Sequence, residues 1–226
     1  CNAPIKPLYD LGIEVMENSE LDMYLLYQAA AKRKREVAAV ARDMARDLGA
    51  GNKYPRKLPQ LAQFEVALLD FMERNLGSRE FAVFANKCWP SFESAHGFVP
   101  CYVNSRLAGR GIPVACEVDI YGAVSEYMIQ LSSQTPATLL DINNTVPDDL
   151  PVADLKGASR EDLFMGFHCG NTPSCLLCPG CGMKYQLIMH RLMEAGKKPD
   201  ITCGTLEGTL LPGPTTIFRL QGAADG

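Results

Sequence analysis

Apolar residues recur at helical spacing through the first third of the chain. Leu21, Leu25 and Ala29, then Val37, Val40, Ala41, Met44 and Leu48, share one side behind a Ser19 cap, and Gly49 closes the run. This predicts a helix, or two in series, over 20–48. Pro55 and Pro59 interrupt the chain, and a second amphipathic helix is expected from Leu61 to Leu76, ended by Gly77. Phe81–Ala85 has the look of a short strand. Phe92–Leu107 has helical periodicity with Pro100 as a kink or boundary, and Asp119–Leu131 carries Ile120, Val124, Tyr127, Met128 and Leu131 along one side, with Asp119 placed to cap it. A further helix is expected over Met183–Glu194. Thr202–Leu220, punctuated by Gly204, Gly208, Pro212, Gly213 and Pro214, has the character of short antiparallel strands and turns.

Between these elements lie three apolar runs, each ending in one side chain able to bind a metal. Pro113–Glu117 ends in a carboxylate, Thr138–Asp141 does so 24 residues later, and Leu163–His168 ends in an imidazole after 27 more. Each run is too short for a helix and apolar enough for a buried strand, so the three ligating groups are expected at the carboxyl edge of a sheet, where open α/β sheets place ligands. The alternation of strands and helices predicts right-handed parallel crossovers. The polar, proline-bearing stretch from Asn143 to Pro151 is the best domain boundary, dividing the chain into 1–142 and 143–226. Two carboxylates and a neutral imidazole suit Mn²⁺ or another divalent ion, with positions left for substrate hydroxyls. Three unrelated strand-end residues would satisfy the same spacing.

Composition narrows the classes. The 226 residues are 47% hydrophobic with a net charge of −4, which describes a globular protein and argues against a phosphate-binding surface for nucleic acid. The one dense basic run, Lys32–Arg35, lies among acidic neighbours on a helical pattern and is expected to be a solvated face. No apolar stretch approaches a membrane span and no signal peptide is visible, so a cytoplasmic enzyme is expected. The chain begins at Cys1 and stops at Asp225-Gly226 just after an apolar pattern, as a piece of something longer would.

Nine cysteines, several inside apolar strands, are expected to be reduced thiols. Cys169, Cys175, Cys178 and Cys181 have spacing compatible with iron–sulfur or zinc ligation, yet lack a second zinc knuckle, and a loop of free thiols is preferred. His96 and His190 sit in helical contexts without partners at ligand spacing. Trp89 beside Pro90 is a candidate stacking surface for a ligand or a plug under a loop, and Glu207 a candidate support for the metal ligands or a solvated turn carboxylate.

Glu117 within Cys116–Gly122, Asp141 within Leu140–Asn144, His168 within Phe167–Asn171, and the later stretch Asp200–Gly208 together resemble the L-fucose isomerase family and its arabinose isomerase relatives, from about Phe81 onward. The resemblance implies a Rossmann-like parallel-sheet domain followed by part of a β-rich carboxyl-terminal domain, with the metal at their junction. It implies Mn²⁺ held by Glu117, Asp141 and His168, with the two carboxylates also acting as the acid/base pair of an aldose–ketose isomerisation. Asn171 and Trp89 become candidate walls for a monosaccharide. Members of that family are longer, begin with another α/β domain, and form homo-oligomers in which a neighbouring subunit helps close the site. The cysteine-rich loop after Asn171, and Cys203 where a basic residue is expected, depart from the family pattern. A non-catalytic sugar-binding or regulatory module, or a thiolate-cluster protein, are the competing classes.

Overall fold

The computed structural model describes residues 4–144 and 156–222. Most of the proposed boundary at 143–151, and both chain ends, lie outside the described residues.

A short helix α1 (Lys6–Asp10) opens the chain. The first amphipathic pattern then resolves into two helices, α2 (Glu20–Ala30) and α3 (Lys34–Leu48), with the Leu21 N–H donating to the Ser19 hydroxyl at the start and Gly49 at the end. Both lie against α4 (Leu58–Leu76), whose interior face supplies Leu61, Phe64 and Leu68 to the core. The expected helix at 92–107 is two, α5 (Ser91–His96) and α6 (Cys101–Gly109), because Gly97 takes the left-handed conformation that stops the first and Pro100 caps the second. Helix α7 (Ile120–Ser133) begins where the Gly122 N–H donates to the Asp119 carboxylate, the capping role that the sequence predicts.

The fold is mixed α/β, with small sheets. Among the described residues, parallel pairing is confined to β1 (Phe84–Ala85) and β2 (Val114–Ala115), and β2 alone matches the buried strands expected at the site. The other two expected site strands form an antiparallel pair instead. β3 (Asp141–Asn143) runs against β4 (Met165–Phe167), with Asp141 opposite Phe167. Neither is buried among the described residues: Ile142, Phe164, Met165 and Phe167 are all exposed. Asp141 therefore begins a strand where an end was expected.

The late pair also departs from expectation. Gly182–Tyr185 forms β5, and helix α8 starts only at Leu187 and runs to Met193. β5 pairs antiparallel with β6 (Cys203–Glu207), while beyond Glu207 the described residues form a bridge between Leu177 and Leu210 and no further strand. Met183 and Leu206 of this hairpin enter the core that holds Met44, Leu61, Phe64 and Tyr102. Two glycines permit the contact, since a Cβ on Gly182 would stand 2.6 Å from the Gly51 carbonyl oxygen and one on Gly204 2.3 Å from that of Val99.

The turn into β6 is shaped by Glu194. Its carboxylate accepts from the backbone N–H groups of Asp200, Ile201 and Thr202 and from the Thr202 hydroxyl. Burial works against that charge, but these donors outweigh it and lower its pKa.

Candidate functional site

Glu117 follows β2 at a strained point. It and Val118 both adopt positive φ, 62° and 54°, a region costly to side chains other than glycine and worst for a β-branched one. Val118 N–H donating to the Asn86 carbonyl, and Asp119 N–H to that of Cys116, hold the bend in place. Such an outlier, maintained by its surroundings, is the kind of feature found where a side chain must be aimed. The Glu117 residue is exposed, directly after four buried ones.

His168 is carried by β4 and by the four residues after it. The Leu206 N–H donates to the Gly170 carbonyl at 3.0 Å, the Ser105 hydroxyl donates to the Thr172 carbonyl at 2.7 Å, and the Thr138 and Thr172 hydroxyls meet at 2.8 Å. Residues 168–172 are thus pinned to β6, to α6 and to the segment leading into β3. The β3–β4 register then brings Asp141 beside the histidine. Burial disfavours the imidazolium, but Cys169, Asp141 and Glu126 together outweigh it and raise the His168 pKa.

Asp141 and His168 therefore lie near each other, at the start of β3 and just past the end of β4, while Glu117 follows β2. Glu117 and His168 share Cys116 as a neighbour. Donor atoms of Cys88, Cys116 and Glu117 lie within 4.8 Å of one another, as do those of Cys116, His168 and Cys169. Among the described residues, Glu117, Asp141 and His168 do not by themselves form a group that tight.

The thiols are the part that sequence reasoning missed. Cys88 ends the β1 edge, Cys116 the β2 edge, Cys101 opens α6, and Cys169 follows His168. The Cys116 thiol lies 3.7 Å from that of Cys88, and the Cys169 thiol lies 3.7 Å from the His168 Nδ1 and within 4.8 Å of the Cys116 sulfur. Contact with Cys101 first, then with Cys116 and Cys88, lowers the Cys169 pKa, while Cys116 is pushed up, chiefly by Cys169. A signal was present: the residue before Glu117 and the residue after His168 are both cysteines. By contrast, Cys175 is exposed, the Cys178 thiol faces the Leu210 carbonyl at 3.6 Å, and among the described residues neither these nor Cys181 join a close donor group.

Two buried carboxyls complete the surroundings. Glu93 is 0% exposed and its oxygens find no partner besides its own backbone, so burial raises its pKa to about 7, with Cys169 adding to the effect. Glu126 on α7 accepts from the Leu139 backbone with one oxygen, and burial raises its pKa to about 7 as well. A carboxyl whose folded pKa stands above its unfolded value contributes stability that is complete below the unfolded pKa and is lost as pH rises through the folded one. For Glu93 that window runs from about 4.5 to somewhat above 7. We expect Glu93→Gln to be more stable than the parent at pH 8 by about 3 kcal/mol and little different at pH 4.5. Urea unfolding at the two pH values measures this, and an equal difference at both would refute the buried-acid assignment.

The remaining candidates sort plainly. Asn171 is buried, 5% exposed, with its Oδ1 unpartnered, and Trp89 is 41% exposed in the loop after β1. His96 is a core residue stacked on Phe92 at 4.0 Å, its pKa lowered by burial. His190 faces the Lys197 carbonyl at 3.0 Å, and Glu207 pairs with Lys184 at 2.6 Å. Among the described residues, no helix is long and apolar enough to cross a membrane.

Comparison with known proteins adds a relationship. No protein-family profile and no solved structure matches the chain at a significant level. It is similar to curated proteins named sulfoquinovose isomerase. That of Priestia megaterium (strain ATCC 12872 / QMB1551) is 26% identical over 176 residues, covering 77% of this chain and 34% of the relative. That of Clostridium sp. (strain MSTE9) is 32% identical over 142 residues, covering 63% and 27%. That of Alkalicoccus urumqiensis is 26% identical over 178 residues. The chain spans about a third of the length of the curated relatives it matches.

Proposed function

We propose that this chain carries the reaction-centre part of a metal-assisted aldose–ketose isomerase of the L-fucose isomerase type. The observation that carries the proposal is the similarity to sulfoquinovose isomerases over 77% of the chain; the nearness of Asp141 to His168, and of both Glu117 and His168 to Cys116, supports it. The donor set fits a divalent ion such as Mn²⁺. Two exposed carboxylates offer oxygen donors, and a histidine fixed at 168–172 by three backbone and side-chain contacts offers nitrogen. Glu117, Asp141 and His168 would hold that ion, which would supply Lewis acidity toward the two sugar oxygens.

The side chains have the rest of the work. An aldose becomes its ketose when a proton leaves C2, one arrives at C1, and another passes between the two oxygens, so a base is needed beside each carbon of the enediol. Glu117 and Asp141 take these places, each able to accept and return a proton. The strained backbone at Glu117 fixes where its carboxylate stands, which is a large part of the rate for a reaction that needs the open-chain sugar held in one geometry. Asn171 offers its unpartnered amide oxygen to a sugar hydroxyl, and Trp89 an exposed apolar wall. The chain spans about a third of the relatives it matches, and we expect the 226-residue chain alone to turn over poorly.

The test uses a full-length protein containing this segment, with sulfoquinovose and L-fucose offered in D₂O and Mn²⁺ present. Nuclear magnetic resonance reads ketose formation and deuterium entering from solvent at the exchanging carbon. Ketose with deuterium incorporation from either sugar, lost on chelation, is the expected result. Binding of both sugars without exchange or turnover would overturn the proposal in favour of a non-catalytic sugar-binding module.

A further inference from the structure

The corner around His168 also gathers sulfur, with a geometry of its own. In a tetrahedral zinc-type site, thiolates stand about 2.3 Å from the ion, which puts neighbouring sulfurs about 3.8 Å apart and a sulfur and an imidazole nitrogen about 3.6 Å apart. Here the Cys88 and Cys116 sulfurs are 3.7 Å apart, and the Cys169 sulfur and His168 Nδ1 are also 3.7 Å apart. Each is the length of one edge of such a tetrahedron, and among the described residues the close donor group is Cys116, His168 and Cys169, with Cys88 beside Cys116 but outside that group. The Cys116 sulfur lies within 4.8 Å of both the His168 and Cys169 donors.

The setting favours a soft cation. Cys88 and Cys116 are 2% and 1% exposed, so an ion there would be held away from water by ligands that lose little hydration on binding. The buried, unpartnered Glu93 carboxyl lies near Cys169, a second sign that the interior of this corner holds polar groups without partners. Nothing comparable surrounds Cys175, Cys178 and Cys181 among the described residues.

We propose that Cys116, Cys169 and His168 form a binding site for a soft or borderline divalent cation of the zinc class, with the Cys88 thiol against Cys116 at its edge. In one respect this rests on the isomerase reading: if His168 also serves the oxygen-rich set of Glu117 and Asp141, the two sets share a ligand, and zinc held by the thiols withdraws the histidine from the sugar site. The protein then carries a built-in sensitivity to soft metals.

The experiment titrates the reduced, metal-free chain with Co²⁺ and follows the near-ultraviolet charge-transfer band of cobalt–thiolate bonds. The band should saturate at one ion per chain and vanish on addition of Zn²⁺. Cys116→Ser and Cys169→Ser should each weaken Co²⁺ binding at least tenfold, whereas Cys175→Ser should leave it unchanged. If Cys116→Ser does not fold, as judged by circular dichroism, the half-buried Cys169→Ser decides. Absence of the band, or a band unaltered in Cys169→Ser, overturns the site. Failure of the isomerase reading would show instead as absent turnover with the cobalt band intact, so the two outcomes are separable.

Discussion

On the proposed isomerase reading, Glu117→Gln should lower turnover of the full-length protein at least about a thousandfold, with a much smaller change in KM. Gln preserves the length and shape of the side chain, and the positive φ at this position is equally strained for either residue, so the bend between β2 and α7 should survive. What is removed is a negative charge and a proton acceptor at the tip of that bend. An interaction made mainly in the transition state lowers kcat and kcat/KM together. Steady-state kinetics with the Mn²⁺-loaded enzyme measures the effect, and a thermal midpoint within a few degrees of the parent's shows that the fold is intact. Turnover within tenfold of the parent would remove Glu117 from the acid/base role.

The second large effect is on stability. Arg106 of α6 reaches Glu65 of α4 at 2.8 Å, Asp43 of α3 at 2.8 Å, and also Asp47 of α3, so one guanidinium ties three helices together. Glu65 is buried, and its other partner is Arg110, whose side chain is half exposed. Arg106→Ala strands a buried carboxylate and places Asp43 and Asp47 near it with no intervening charge. Breaking a buried pair from one side costs about 3–5 kcal/mol. Equilibrium urea unfolding should show a loss in that range, whereas the double variant Glu65→Leu/Arg106→Met should recover much of it by exchanging the pair for packed apolar groups. A loss below about 1 kcal/mol in Arg106→Ala would mean that the network contributes little.

What can be read from the chain differs between helices and strands. Helices α2, α3, α4 and α7 carry apolar positions at regular spacing and bounding residues with a direct physical role, Ser19, Gly49, Gly77 and Asp119, so the sequence displays them openly. The short strands are harder, because two or three residues cannot display a period. Thr138–Asp141 and Leu163–His168 are apolar enough for burial, but apolar content does not reveal that a ribbon is exposed, nor that its strands run antiparallel. Met183–Tyr185 fits the helix that comes after it, and only pairing with residues 203–207, on the far side of α8, makes it a strand. The site is legible as separate ligands at strand ends. The meeting of Cys88, Cys101, Cys116 and Cys169 is not, because it depends on where α6 lies against β2 and β6.

The hairpin of β5 and β6 also governs how the polypeptide reaches its native state. Met183 and Leu206 close a core whose other walls, Met44, Leu61 and Phe64, leave the ribosome far earlier. At ordinary rates of synthesis, roughly 5–20 residues per second, the face of α4 waits on the order of ten seconds for the strands that cover it. Contacts of such long sequence separation also close late, since loop entropy must be overcome before they bring any return. During that interval the nascent helices present Leu61, Phe64 and Leu68 to solvent, and a chaperone able to hold apolar helical surface would find its natural client there.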